Sequence, residues 1–297
     1  MTPTEFPDQP LKGLRILSLA LNLPGPAALM RCRALGATCS KVESPAGDPM
    51  RHYRPAFYAH LTEGVRVLTL DLKTDAGRAA LGEELSATDV LLTSFRPSAL
   101  RKLGLDWSAL QARWPALSQV AIVGASGARA EEPGHDLTYL AQHGLITGTE
   151  LPATLYADMS GALLAVEAVL RCARGRPEAD VPSRIGRFIE VALADAAGWL
   201  ALPRQFGLTA PAGMVGGAHA GYRVYPCRDG RVAVAALEPH FTRALCDAAG
   251  VAHDAADPTA PATHEAIAAF LLGRTREQLD QLARDRDIPL HTLEAAD

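Results

Sequence analysis

The sequence predicts an α/β fold: a parallel-sheet domain with crossover helices, followed by a second, smaller α+β domain. Three observations predict it. From Leu14 onward, short apolar runs alternate with helical stretches of ~10–15 residues, the spacing that parallel strands with crossover helices require. After Pro133 the alternation gives way to a long, nearly all-apolar helical stretch. Further on, Arg228-Asp229-Gly230 separates two strand-like runs, a hairpin signal because Asp-Gly tolerates positive φ.

In order, residues 14–19 read as a buried strand that Pro24-Gly25-Pro26 breaks, and 27–35 as a helix closed by Gly36. Residues 38–43 and 67–70 read as the next two strands. Residues 74–86 form an amphipathic helix with Thr74 as its N-cap. Strands at 89–93 and 119–123 flank one helix over 98–114. The helix at 158–172 carries Ala162, Leu163, Leu164, Val166, Val169 and Leu170, so it is expected to be buried on most sides. A strand at 187–191 and a helix at 195–206 follow, then the hairpin strands 222–226 and 231–235. Helices at 239–249, 263–272 and 276–286 complete the pattern, with the Ala-, Asp- and Pro-rich stretch 251–261 as the linker candidate.

Composition narrows the function. At 297 residues, the length suits two domains or one large one. Apolar residues make up 48% and charged residues 21%, the balance of a globular enzyme, and a net charge of −4 offers no field for nucleic acid or an anionic membrane. The N-terminal ten residues lack the basic start and apolar run of a signal peptide, and no stretch reaches the ~18 apolar residues of a membrane span. The five cysteines include no Cys-x-x-Cys, which argues against a zinc cluster and for reduced thiols in a cytoplasm. Gly-x-Gly-x-x-Gly, a phosphate loop and Gly-x-Ser-x-Gly are all missing, which removes dinucleotide, kinase-like and serine-hydrolase readings.

Three polar clusters remain: Gly134-His135-Asp136, Asp158 at the start of the apolar helix, and Glu238 within Ala236-Leu237-Glu238-Pro239-His240-Phe241. Each has an ordinary explanation by itself. Asp158 suits an N-cap, Glu238 a first-turn charge, and His135 a surface loop.

Together with the rest of the chain they resemble a known family. Leu11-Lys12-Gly13-Leu14-Arg15-Ile16-Leu17, Pro24-Gly25-Pro26, Leu35-Gly36-Ala37, Lys41-Val42-Glu43-Ser44-Pro45, Gly47-Asp48-Pro49, Leu70-Asp71-Leu72-Lys73 and Asp89-Val90-Leu91-Leu92 look like the class III CoA-transferase family (CaiB/BaiF type). Gly134-His135-Asp136-Leu137-Thr138-Tyr139-Leu140, Ala157-Asp158 and the Glu238 segment resemble its α-methylacyl-CoA racemase branch. The resemblance implies a Rossmann-like CoA-binding large domain over 1–200, a small α+β domain over 201–297, and a homodimer. The family's C-terminal return segment is expected to be absent, which leaves open whether the two chains interlock as they do in the family.

The implied chemistry is inversion at the α-carbon of an acyl-CoA, with His135 and Asp158 as the base and acid on opposite faces. Glu238 would orient His135, Asp136 would support the site, and backbone N–H groups at the start of the Asp158 helix would hold the enolate oxygen. Arg96, Arg101 and Lys102 stand where the family places basic nucleotide contacts. CoA would arrive as part of the substrate, with no prosthetic group and no metal. Met159, Met214 and Leu237 hint at an apolar acyl chain.

In the transferase branch Asp158 would instead be the nucleophile that forms an acyl anhydride. A catalytically weak CoA-binding relative and a nucleotide-binding protein with another ligand are the remaining readings. The chain departs from the family pattern in three places. Ser44 replaces a basic residue, only Arg66 remains of the basic motif before the third strand, and the loop Gly124-Ala125-Ser126-Gly127-Ala128-Arg129 lacks its aromatic and Gly-Pro.

Overall fold

The computed structural model describes residues 8–174, 185–252 and 257–295. Its first strand, β1 (Arg15–Ser18), leads into α1 (Pro24–Ala34). Pro24-Gly25-Pro26, expected to be a break, is instead the first turn of that helix. First-turn N–H groups have no intrahelical partner, and the fixed φ of proline suits the position. Gly25 answers to packing, since a Cβ there would lie 2.1 Å from the Ala20 Cβ. β2 (Thr38–Glu43) is followed by two short proline-initiated helices, α2 (Pro49–Tyr53) and α3 (Pro55–Leu61), that the apolar pattern did not reveal.

β3 (Arg66–Thr69) precedes α4 (Asp75–Ser86), which Thr74 caps as expected by accepting the Gly77 N–H at 3.0 Å. After β4 (Val90–Thr93), the single helix expected over 98–114 is two, α5 (Pro97–Leu103) and α6 (Trp107–Arg113). Gly104 takes φ +67 and ends the first in the left-handed conformation, while Asp106 caps the second through the Ala109 N–H. β5 (Ser118–Val123), α7 (Asp136–Gln142), α8 (Tyr156–Ala173), β6 (Phe188–Ala192) and α9 (Leu193–Leu200) complete the first of two compact units, which ends at Ala201. The helix expected over 195–206 is interrupted there because Pro203 has no N–H to continue it, and the second unit begins with α10 (Leu202–Gln205).

All six strands of the first unit's sheet run parallel, in the order β3-β2-β1-β4-β5-β6. A parallel sheet covered on both faces needs apolar residues at successive positions rather than alternate ones. β4 and β5 are buried throughout and β1 is buried after Arg15. Ile16, Leu92, Val120 and Ile122 pack toward α1 and α8, while Leu17, Leu91, Leu81 and Leu110 pack on the opposite side with α4 and α6. α8 is less enclosed than expected. It packs against α1 and α9, and leaves an open strip at Met159, Leu163, Glu167 and Arg171.

A buried ion cluster braces the C-terminal end of β2. Lys41, fully buried, donates to Glu43 at 2.8 Å and to Asp48 at 2.5 Å. Asp48 also accepts the Met50 N–H at 2.9 Å, capping α2, and the Asn22 N–H at 3.2 Å. Glu43 accepts the Tyr58 hydroxyl at 3.0 Å, which together with burial pushes the phenol up to about 12. One ammonium thus ties β2, α2, α3 and the β1–α1 turn together.

In the second unit the hairpin β7 (Tyr222–Cys227) and β8 (Gly230–Ala235) precedes α11 (Pro239–Ala248), α12 (Pro261–Leu272) and α13 (Arg276–Arg286), and β9 (Leu290–Leu293) pairs antiparallel with β8. The hairpin forms where expected, but for a different reason. Neither Asp229 nor Gly230 takes positive φ. Gly230 is needed because a Cβ there would lie 2.4 Å from the Leu293 carbonyl oxygen of β9. The linker candidate 251–261 falls inside this unit, and its residues 253–256 lie outside the described residues. Among the described residues no helix is long and apolar enough to cross a membrane.

Lys41→Met is expected to destabilise the protein by about 3–5 kcal/mol, because it strands two carboxylates in the interior without their cation. Equilibrium denaturation in urea checks this.

Candidate active site

In an open parallel sheet the ligand crevice lies beyond the carboxyl ends of the strands, where the strand order reverses. Here the reversal falls between β1 and β4. A cleft of about 310 Å³ opens at that place, walled by Leu21 and Asn22 after β1, Ser94 and Arg96 after β4, and Gly124 at the end of β5. His135, Tyr139 and Asp158 line it as well.

The β1–α1 turn is held against the sheet from two sides. Ser94 Oγ accepts the Leu21 N–H at 3.2 Å, and Asp48 accepts the next one, from Asn22. Asn22 takes φ +64, a left-handed conformation that asparagine tolerates better than other side chains.

His135 is the N-cap of α7, with extended backbone at φ −141 and ψ 169. Its N–H donates to Thr138 Oγ1 at 3.1 Å, and the Thr138 hydroxyl donates back to the His135 carbonyl at 2.7 Å. This local lock fixes the turn that presents the imidazole, which is exposed. The next side chain, Asp136, turns inward and is buried at 5% exposure. Its Oδ1 accepts the N–H of Asp158 at 3.0 Å, joining the start of α7 to the first turn of α8.

Asp158 therefore sits half-buried beside a second carboxylate. Burial, then the Asp136 charge, push its carboxyl up to about 6, against an opposing pull from His135. A carboxyl so placed holds and releases a proton near neutral pH, which an exposed aspartate does not. The structure also revises one expectation: the Asp158 N–H is taken by Asp136 and is not open to an enolate oxygen.

The basic residues divide. Arg96 lines the cleft as the N-cap of α5. Arg101 is exposed and pairs with Glu131 at 3.4 Å, while Glu131 also accepts the Ser98 N–H and hydroxyl. Lys102 is exposed, and neither it nor Arg101 is among the residues that line the cleft.

The sequence profile of CoA-transferase family III matches residues 11–297. The chain belongs to that family. A probable fatty acyl-CoA transferase of Mycobacterium tuberculosis is 31% identical over 214 residues, 66% of this chain and 53% of its own length. The chain thus spans about half of that relative. The human α-methylacyl-CoA racemase is 29% identical over 260 residues, 82% of this chain and 66% of its own. A solved CaiB/BaiF family protein from Brucella suis shares the fold with a TM-score of 0.80 at 24% identity, covering 97% of this chain and 85% of that one.

Within family III terms, the first unit brings His135, Asp136, Asp158 and Arg96 to one place. Glu238 belongs to the second unit, where it is the exposed N-cap residue of α11 and makes no side-chain capping bond. Met214 and Leu237 line a separate cavity of the second unit, and Met159 lies on the open strip of α8. Sequence reading missed Asn22 and Tyr139. Tyr139 lies inside the matched His135 segment, but only its place as the fourth residue of α7, one turn from His135, signals that it faces the same cleft.

Because its folded carboxyl titrates above the unfolded value of 3.8, Asp158 favours the folded state less once it ionises. That loss begins as pH rises past the unfolded value and is complete above the folded one. Asp158→Asn is therefore expected to raise Tm at about pH 8 and leave it nearly unchanged at about pH 4, as thermal unfolding at the two pH values would record.

Proposed function

We propose that the protein is an acyl-CoA racemase that inverts the α-carbon of 2-methylacyl thioesters. The observation that carries this reading is the pairing of His135 and Asp158 on one cleft, with the Asp158 carboxyl raised to about 6. Racemisation needs two groups that exchange roles as acid and base near working pH. One of them takes the α-proton, leaving the electron pair as an enolate on the thioester oxygen. The other gives a proton to the opposite face, and the C–S bond stays intact throughout.

Asp136 serves this scheme by anchoring the first turn of α8 and by raising Asp158. Arg96 is proposed as the contact for CoA phosphate groups. The acyl-CoA is the small-molecule partner, a second copy of this chain the macromolecular one, and a reducing cytoplasm suits the five buried free thiols.

The Mycobacterium relative supports a second reading, CoA transfer between carboxylic acids. The Asp158 carboxylate would then attack the thioester carbonyl, forming an acyl–oxygen bond as the C–S bond breaks and CoA leaves as thiolate. This route has no use for a second proton-transfer base, so His135 separates the two.

Incubation with a 2-methylacyl-CoA in D₂O, followed by mass spectrometry and chiral analysis, is the test. Deuterium at the α-carbon with loss of stereochemical purity is expected. His135→Ala and Asp158→Ala should each abolish exchange, and the wild-type rate should fall on the acid side as pH drops through about 6. Full turnover in His135→Ala with loss in Asp158→Ala would instead establish the transferase route.

A further inference from the structure

Tyr139 is 7% exposed and lines the cleft. Its hydroxyl lies between two glycines that line the cleft. A Cβ on Gly124 would come within 2.3 Å of that oxygen, and one on Gly134 within 2.5 Å. Neither glycine takes positive φ, so backbone conformation does not demand them. Room for the phenol does. Gly124 closes β5 and Gly134 immediately precedes His135, so the hydroxyl stands where the strand end meets the turn carrying the imidazole.

Among the described residues the hydroxyl has no hydrogen-bond acceptor, and its O–H belongs to a side chain that lines the cleft. Its neighbours in charge are Asp158, which together with burial raises the phenol, and Arg96, which lowers it. A donor that lines a cleft and is unspent on protein is suited to an oxygen of the bound molecule.

We propose that the Tyr139 hydroxyl donates a hydrogen bond to the thioester carbonyl oxygen of the acyl-CoA, stabilising the negative charge that develops there. The inference rests on the acyl-CoA reading of the cleft, but not on the choice between its two chemistries. Proton abstraction places charge on that oxygen as an enolate, and attack by Asp158 places it there as a tetrahedral oxyanion. In both the phenol keeps its proton and no bond to it breaks. It also supplies the donor that the Asp158 N–H, bonded to Asp136, does not.

The test pairs kinetics with a stability cycle, using the full chain and a 2-methylacyl-CoA in D₂O with a carboxylic acid acceptor present, so that exchange and transfer are read together. Tyr139→Phe keeps the ring and loses only the donor. Whichever turnover the wild type shows, kcat is expected to fall about 10²-fold with KM little changed, the pattern of a lost transition-state donor. Gly124→Ala is expected to lower Tm strongly in the wild type and much less in a Tyr139→Phe background, because the Cβ chiefly meets the oxygen.

Unchanged turnover in Tyr139→Phe overturns this inference while leaving the acyl-CoA reading intact. Equal Tm losses from Gly124→Ala in both backgrounds overturn its geometric basis. Wild-type protein that neither exchanges nor transfers overturns both readings at once, so the two failures are told apart.

Discussion

The buried Lys41 ammonium is the constraint around which this cleft is arranged. An isolated charge in a protein interior is costly, and this one persists because two carboxylates close around it, each of them held in turn by a backbone N–H that donates to it. The same contacts that satisfy the charge decide where the chain runs. Asp48 cannot pair with Lys41 without drawing in α2, and it cannot accept from Asn22 without bringing the β1–α1 turn down to the sheet. The left-handed Asn22 and the first turn of α1 are therefore set by an ion pair that does not itself reach the cleft.

A second, smaller tie acts on the other side of the switch point. The start of α7 and the start of α8 are separated by twenty residues of loop and helix, yet one hydrogen bond from a backbone nitrogen to Asp136 joins them. That bond also places a negative charge beside Asp158. Structural anchoring and the raised carboxyl thus have one origin, and changing Asp136 would disturb both.

Much of this was legible in the sequence because the strands of the first unit are continuous apolar runs, and their helices carry ordinary caps such as Thr74. The cluster of His135, Asp136 and Asp158 was legible through family resemblance rather than through periodicity. What escaped reading depended on contacts distant in sequence. Gly230 looks like a turn glycine until β9 is seen to press against it, and Gly124 looks like loop flexibility until the Tyr139 hydroxyl is found in its place. The proline-initiated α2 and α3 escaped because short helices with polar flanks leave no apolar stripe. The split at Gly104 was present as a residue type, but a lone glycine in a helical pattern does not announce which backbone region it will occupy.

The walls of the cleft come from two different parts of the sheet. The turns after β1 and β4 carry Leu21, Asn22, Ser94 and Arg96, whereas the segments after β5 carry His135, Tyr139 and Asp158. Shape and charge at the entrance can drift by loop replacement on one half while the reactive groups stay on the other. A cleft divided in this way allows substitutions in one set of turns without moving the side chains carried by the other.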